Sequence, residues 1–328
     1  MKLIKGATLL SIILVSSHLQ AQSKIDLLFK PDSIRKIVEV LASDSMKGRF
    51  TGTAESYRAA QFIIDKFSRA GLKPLAGYPD YLMRIKDAWY NVVGAIQGKS
   101  KPHEVIIFSA HYDHVGTDAT NPYPMAGGLA IPRKGDTIFN GANDNASGVS
   151  AIITLAKYFS LKRDNERTIC FVAFTGEELG ELGSKYFVER CNPDSILAVI
   201  NFDMIGRKYN NYGHPYLTGV DSSNLIDILN KRLSEFNRNE YGRNFIDLDP
   251  FPREHLFERS DNYPFAQKGI PAHTIMATSP KDIYYHNLGD EAKALDYALI
   301  SKIIKAIAIG AEGLVNGTDT PTRIGRIK

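Results

Sequence analysis

Hydrophobic positions along the chain fall into two alternating rhythms. From Pro31 to about Ala42, Ile34, Ile37, Val38 and Leu41 recur at helical spacing, and a second helical segment runs from Ala54 to Ala70, stopped by Gly71. Residues 89–97 and 104–110 are instead short β-branched and apolar runs, the pattern of strands. The alternation continues with a helix that places Val149, Ile152, Ile153, Ala156 and Phe159 on one face, a strand over 168–174 and a helix to about Glu189. A strand from Ile196 to Phe202 follows, then a helix over 222–237, an irregular polar stretch over 239–265, a strand from Ile270 to Ala277 and a helix from about Glu291 to Leu314. Strands separated by helices argue a three-layer α/β/α sandwich around a largely parallel sheet. No linker or repeat divides the pattern, so one domain is expected over residues 22–317, with a loose tail over 318–328.

Polar residues of a particular kind collect where the predicted strands stop. The second strand runs into His111-Tyr112-Asp113-His114, the third delivers Glu177-Glu178, the fourth delivers Asp203, and the last leads to Tyr284-Tyr285-His286. Between them, Asn140 to Gly148 (NGANDNASG) sets Asp144 in a glycine-bounded turn at the opening of a helix. In open α/β sheets ligands bind at this carboxyl edge. Imidazole and carboxylate groups suit zinc in a hydrolytic site. The five side chains His111, Asp144, Glu178, Asp203 and His286 exceed what one open tetrahedral zinc needs; they suit two zinc ions if one carboxylate bridges. Glu177, left over beside a ligand, stands where a general base belongs. His114, directly after Asp113, is expected to point elsewhere, and His103, His214, His255 and His273 lack ligand spacing.

Composition changes this picture mainly at the amino terminus. Lys2 and Lys5, an apolar stretch from Ala7 to Ser17 and a small residue at Ala21 have the build of a secretory signal peptide over residues 1–21. A secreted or periplasmic mature chain is therefore expected, without a membrane span. Removing the leader takes away two lysines and no acid, so the formal charge falls from +4 to +2, a balance that asks for neither nucleic acid nor an anionic membrane. Two cysteines, Cys170 and Cys191, are too few for a disulfide scaffold. The intervening βα unit brings them to one edge of the sheet, which leaves a pairing open.

Ser109-Ala-His-Tyr-Asp113, Gly141-Ala-Asn-Asp-Asn-Ala-Ser-Gly148, Glu177-Glu178, Asp203-Met204 and Tyr285-His286 with Asp290 together resemble the signature of the M28 zinc aminopeptidases, over roughly Pro31 to Leu314. The resemblance implies a mixed sheet, a single catalytic domain and two zinc ions acting on peptides with a free amino terminus. Asp144 would bridge the ions, with His111 and Asp203 on one, and Glu178 and His286 on the other. Glu177 would be the general acid/base, Asp113 would orient the His111 imidazole, and Tyr285 would hydrogen-bond the developing oxyanion. A cis Asp144-Asn145 peptide is also implied. Asn262 departs from the pattern, since the family usually carries His there. Two rivals share the scaffold: a glutaminyl cyclase, which uses a single zinc and has less need of His111, and an inactive binding ectodomain, in which ligands would be lost. Tyr209, Tyr212 and Tyr216 are candidates for a specificity pocket or for plain packing. Arg207, Arg253 and Arg259 are candidates for binding a substrate carboxylate. Oligomeric state and the preferred side chain are not encoded in any of these motifs.

Overall fold

The structure, a computed structural model, describes residues 25–120 and 135–324; the expected leader and the middle of the glycine- and proline-rich loop after His114 lie outside them. Helices α1 (Pro31–Leu41) and α2 (Ala54–Ala70) form where the apolar spacing places them. Thr53 caps α2 by accepting from the Ser56 N–H, and Gly71 ends it at φ 87°, a left-handed conformation that glycine adopts without a Cβ penalty. Four strands follow: β1 (Lys73–Pro74), β2 (Leu82–Lys86), β3 (Trp89–Ile96) and β4 (Lys101–His111). The rest of the chain gives α3 (Gly148–Lys162), β5 (Arg167–Phe174), α4 (Leu182–Val188), β6 (Ile196–Phe202), β7 (Tyr216–Leu217), α5 (Leu225–Tyr241), β8 (Asp247–Leu248), β9 (Ala272–Met276) and α6 (Tyr297–Gly310).

The nine strands make one mixed sheet in the order β1-β3-β5-β4-β6-β9-β7-β8, with β2 also on β3. Its centre is parallel: β4 pairs with β5 and β6, and β6 with β9. Its flanks turn antiparallel at the β3–β5 and β7–β9 pairs. Side chains alternate between two cores, as the pleat demands. Ile106, Phe108, Ile169, Phe171, Ala198 and Ile200 face the layer of α1, α2, α3, α5 and α6. Ile107, Cys170, Val172, Phe174 and Val199 face a thinner layer that includes Phe187, Val188 and Phe265.

Several expectations need adjusting. The last long helix starts at Tyr297 rather than near Glu291, because Asp296 caps it by accepting from the Leu299 N–H and residues 292–294 form a separate 3-10 turn. Residues 318–324, expected to be loose, are tied to the domain. Arg232 donates to Asp319 at 2.7 Å, the Thr322 N–H donates to Asn224 at 2.8 Å, and Arg323 donates to the Pro193, Asp194 and Ile196 carbonyls. Strands β1, β2, β7 and β8 escape the period-based reading because each is five residues or fewer and lies at a flank of the sheet. Cys170 and Cys191 are free thiols packed against one core, and burial raises both above the ordinary thiol range, Cys191 to about 11.

His273, in the middle of β9, is fully buried. Its Nδ1 lies 2.8 Å from the Thr218 carbonyl, which can only accept, so Nδ1 carries the proton. Nε2 then accepts from the Ser223 hydroxyl at 2.6 Å. Burial lowers its pKa from 6.5 to about 4, with the Thr218 contact opposing. Between pH 6.5 and 4 the unfolded chain therefore takes up a proton that the folded chain refuses. Folding stability from this residue is complete above pH 6.5 and lost toward pH 4, by about 3 kcal/mol across the window. Urea unfolding at several pH values should show a steeper acid loss in the wild type than in His273→Gln. Identical slopes would contradict the assignment.

Candidate active site

Because β4, β5, β6 and β9 are parallel, their carboxyl ends share one edge, and His111 stands opposite Phe174 in register. Each strand releases its polar residue at that edge. His111 is the last residue of β4, Glu177 and Glu178 follow β5 after the Thr175-Gly176 turn, Asp203 follows β6, and His286 comes from the loop after β9. The turn carrying Asp144 enters from between β4 and α3, and its Asp144-Asn145 peptide is cis. The turn lies close against β6. A Cβ on Gly148 would stand 2.5 Å from the Phe202 carbonyl oxygen, so only glycine permits this approach.

The five predicted ligands converge. His111 Nε2 lies 3.3 Å from Asp144 Oδ1 and 3.5 Å from Asp203 Oδ1. His286 Nε2 lies 3.2 Å from Asp144 Oδ2 and 2.9 Å from Glu178 Oε2. The two oxygens of Asp144 thus face two different ligand groups. All five residues are buried, and Asp203 Oδ1 accepts no hydrogen bond from the described residues. Three buried carboxylates at this spacing repel one another unless cations sit among them. Without a metal, protons take that role. Burial works against charge on His286, yet Glu178 and Asp144 raise its pKa to about 11. His111 is raised likewise by Glu177, Asp144 and Asp203 against its burial. Nitrogen and carboxylate donors, buried, convergent and partly unsatisfied, fit a divalent metal of the zinc type.

Asp113 serves three neighbours. Its carbonyl oxygen lies 3.2 Å from His111 Nδ1 and its carboxylate 3.8 Å from the same nitrogen. The carboxylate also accepts from the Thr51 hydroxyl at 2.8 Å and from the Glu177 N–H at 3.3 Å. Glu177 is 14 % exposed at the side chain, with Oε2 4.0 Å from His111 Nε2. Burial pushes its pKa well above the carboxylate range; His111 opposes this, and Glu178, Asp203 and Asp261 add to it. Tyr285 stacks on His286, ring centroids 4.0 Å apart, and lines the same cleft.

Some participants were not foreseen. His114 does not point away: it is fully buried, and its Nδ1 lies 2.8 Å from Glu178 Oε1. Strand alternation stops applying at His111, where β4 ends, so the three residues that follow are free to turn inward. Ser260 donates to Asp203 Oδ2 at 2.8 Å. Arg49, also unforeseen, is a fully buried guanidinium that donates to the carbonyls of Leu41, Tyr112, Asn140 and Gly141. Asp290, present in the motif without a role, accepts the backbone N–H groups of Asn143 and Asp144 at 2.9–3.0 Å.

Other candidates are placed elsewhere. Asn262 is buried, donating to the Phe257 carbonyl at 3.0 Å and accepting from Thr274 at 2.7 Å, and so serves packing. Tyr216 is buried with its hydroxyl on the Thr278 carbonyl, Tyr209 packs against it, and Tyr212 is 81 % exposed. None of the three lines the cleft, whose apolar wall is Met204, Leu256 and Met276. Among the described residues, no helix is long and apolar enough to cross a membrane.

Comparison with known proteins agrees with this geometry. The curated aminopeptidase YwaD of Bacillus subtilis is 27% identical over 210 residues, covering 61% of this chain and 39% of the relative. The chain spans between 22% and 58% of the length of the curated relatives it matches. A zinc aminopeptidase from Bacillus subtilis superposes with a TM-score of 0.66 at 16% identity, covering 89% of this chain and 97% of the other. A glutaminyl cyclase from Porphyromonas gingivalis gives 0.66 at 18% identity, covering 88% and 99%. The family model for peptidase family M28 matches residues 91–309, a span that includes every one of the five convergent side chains, and the chain belongs to that family.

Proposed function

We propose that this chain is a two-zinc aminopeptidase exported from the cytoplasm. The observation that carries the two-metal reading is the pair of Asp144 oxygens, each turned to its own ligand group: His111 and Asp203 on one side, Glu178 and His286 on the other. Zinc held there would polarise a scissile carbonyl and lower the pKa of water at neutral pH. Glu177 takes the proton of the attacking water and returns it to the leaving nitrogen. The Tyr285 hydroxyl, at the cleft wall, donates to the carbonyl oxygen as charge develops.

The aminopeptidase reading is supported by the named relative and by the charge of the cleft. Asp144, Glu177 and Asp203 line it, so a substrate ammonium near the scissile carbonyl is attracted where screening is weak. The cyclase fold neighbour keeps a second reading open, in which an amino-terminal glutamine is cyclised at one zinc. The full set of five convergent residues favours two ions. The leader peptide motivates export and is tested by locating the mature amino terminus in cell fractions.

Protein purified with zinc should hold close to two ions per chain by elemental analysis, and Asp144→Ala should lose both. One ion per chain, with cyclisation of glutaminyl peptides, would replace this reading with the cyclase one. Glu177→Gln should keep its zinc while the rate falls by about 10²–10⁴. Parallel loss of zinc and rate would make Glu177 a ligand instead. A dipeptide amide should be cleaved and its N-acetylated twin left intact; comparable rates for the two would end the aminopeptidase assignment.

A further inference from the structure

The cleft lined by Asp144, Glu177 and Asp203 also holds an arginine that has no ion pair among the described residues. Its wall is acidic on one side (Asp144, Glu177, Asp203) and apolar on another (Met204, Leu256, Met276), and Arg259 lines the same space. Arg259 makes no ion pair among the described residues, and the undescribed stretches 1–24, 121–134 and 325–328 contain no Asp or Glu side chain. No carboxylate side chain among the described residues is therefore its partner. The two other arginines considered from the sequence differ. Arg207 is taken up by Asp282 at 2.8 Å and Asp290 at 2.7 Å, with its guanidinium over the Tyr284 ring. Arg253 sits on an exposed 3-10 turn and does not line the cleft.

The backbone fixes where Arg259 stands. Its N–H donates to the Leu256 carbonyl at 3.3 Å, and the next residue, Ser260, holds Asp203 through its hydroxyl. The arginine is thus one residue from a group that positions a predicted ligand, on the same wall as the apolar pocket. Exposed on the cleft wall and without an ion pair among the described residues, its guanidinium is free to meet a ligand carboxylate. A guanidinium presents paired N–H donors that match a carboxylate's two oxygens, which an ammonium cannot do.

Resting on the peptidase reading above, we propose that Arg259 reads a carboxylate on the substrate. Two peptide groups supply one: the terminal carboxylate of a short peptide and the side chain of an acidic residue at the amino terminus. The chain would then favour either very short peptides over long or amidated ones, or acidic over neutral amino-terminal residues.

Two pairs of probes separate these sources: Leu-Ala against Leu-Ala amide, and Glu-Ala amide against Gln-Ala amide. Their dissociation constants are measured by calorimetry on zinc-loaded Glu177→Gln protein, where no turnover intervenes, and their KM and kcat on the zinc-loaded wild type. In one pair the carboxylate-bearing member should bind about fivefold to tenfold more tightly, the scale of a partly solvated charge pair. The difference should appear in KM rather than kcat, collapse to near unity when Arg259→Ala is added, and return in part with Arg259→Lys. Equal affinities within both pairs would overturn the proposal, as would a preference that survives Arg259→Ala. If the wild type hydrolysed none of the probes while the Arg259-dependent preference persisted in the binding data, the peptidase reading would fail and the carboxylate site would stand.

Discussion

The cleft depends on how the turn from Gly141 to Gly148 is pinned to the edge of the sheet. A turn that carries a carboxylate into a cluster of other carboxylates is pushed outward, and packing alone supplies no directional restraint against that. Two buried ionic groups supply it. Arg49 gathers the carbonyls of Asn140 and Gly141 with those of Tyr112, just past β4, and Leu41, at the end of α1. Burial lowers its pKa to about 10, so it stays charged at neutral pH. Asp290 holds the other side by accepting from Asn143 and Asp144 while Arg207 neutralises it at 2.7 Å. One brace acts on carbonyls and the other on N–H groups, so the turn is fixed at both ends of its peptide dipoles. Leaving either set without its partner would strand buried polar groups, at about 1–3 kcal/mol each.

This explains how much the chain disclosed before its structure. Four of the five convergent residues were legible because they end or follow a strand of strong pattern, and a parallel sheet gathers such positions at one edge; Asp144 was legible from its glycine-bounded turn at the opening of a helix. Asp290 was visible as part of a motif, but its task was not, since a carboxylate that accepts backbone N–H groups has the same spelling as one that binds metal. Arg49 gave no signal: its partners are backbone carbonyls, which any residue provides, 8 to 92 positions away. His114 was misplaced by extending strand alternation past the end of β4, where the backbone no longer enforces it.

The short strands were illegible for a related reason. β1, β7 and β8 are two residues each, too short for a period to show; β1 and β7 exist because the ladder of a longer neighbour accepts them, and β8 pairs in turn with β7. The late start of α6 had a readable cue in Asp296, an acceptable cap three residues before Leu299, which the hydrophobic period alone overrides. Local chemistry sets element ends more sharply than periodicity does.

The charge content of the site ties its function to its stability. Around one edge of the sheet the fold buries Asp113, Asp144, Glu178, Asp203 and Asp261. Burial lifts Asp261 to about 8 and raises Asp113, while His111 and His286 are raised by their acidic neighbours. In the metal-free protein the cluster is therefore balanced by protons on its histidines and on some of its acids. Zinc requires those histidines neutral and the carboxylates ionised, so binding it displaces protons from the same atoms. A metal that binds the folded cluster and not the unfolded chain then adds its binding free energy to folding. Arg49 and Asp290 are what allow the exchange to occur without rebuilding the turn, because neither contributes an atom to the convergent cluster and neither is released when its protons leave.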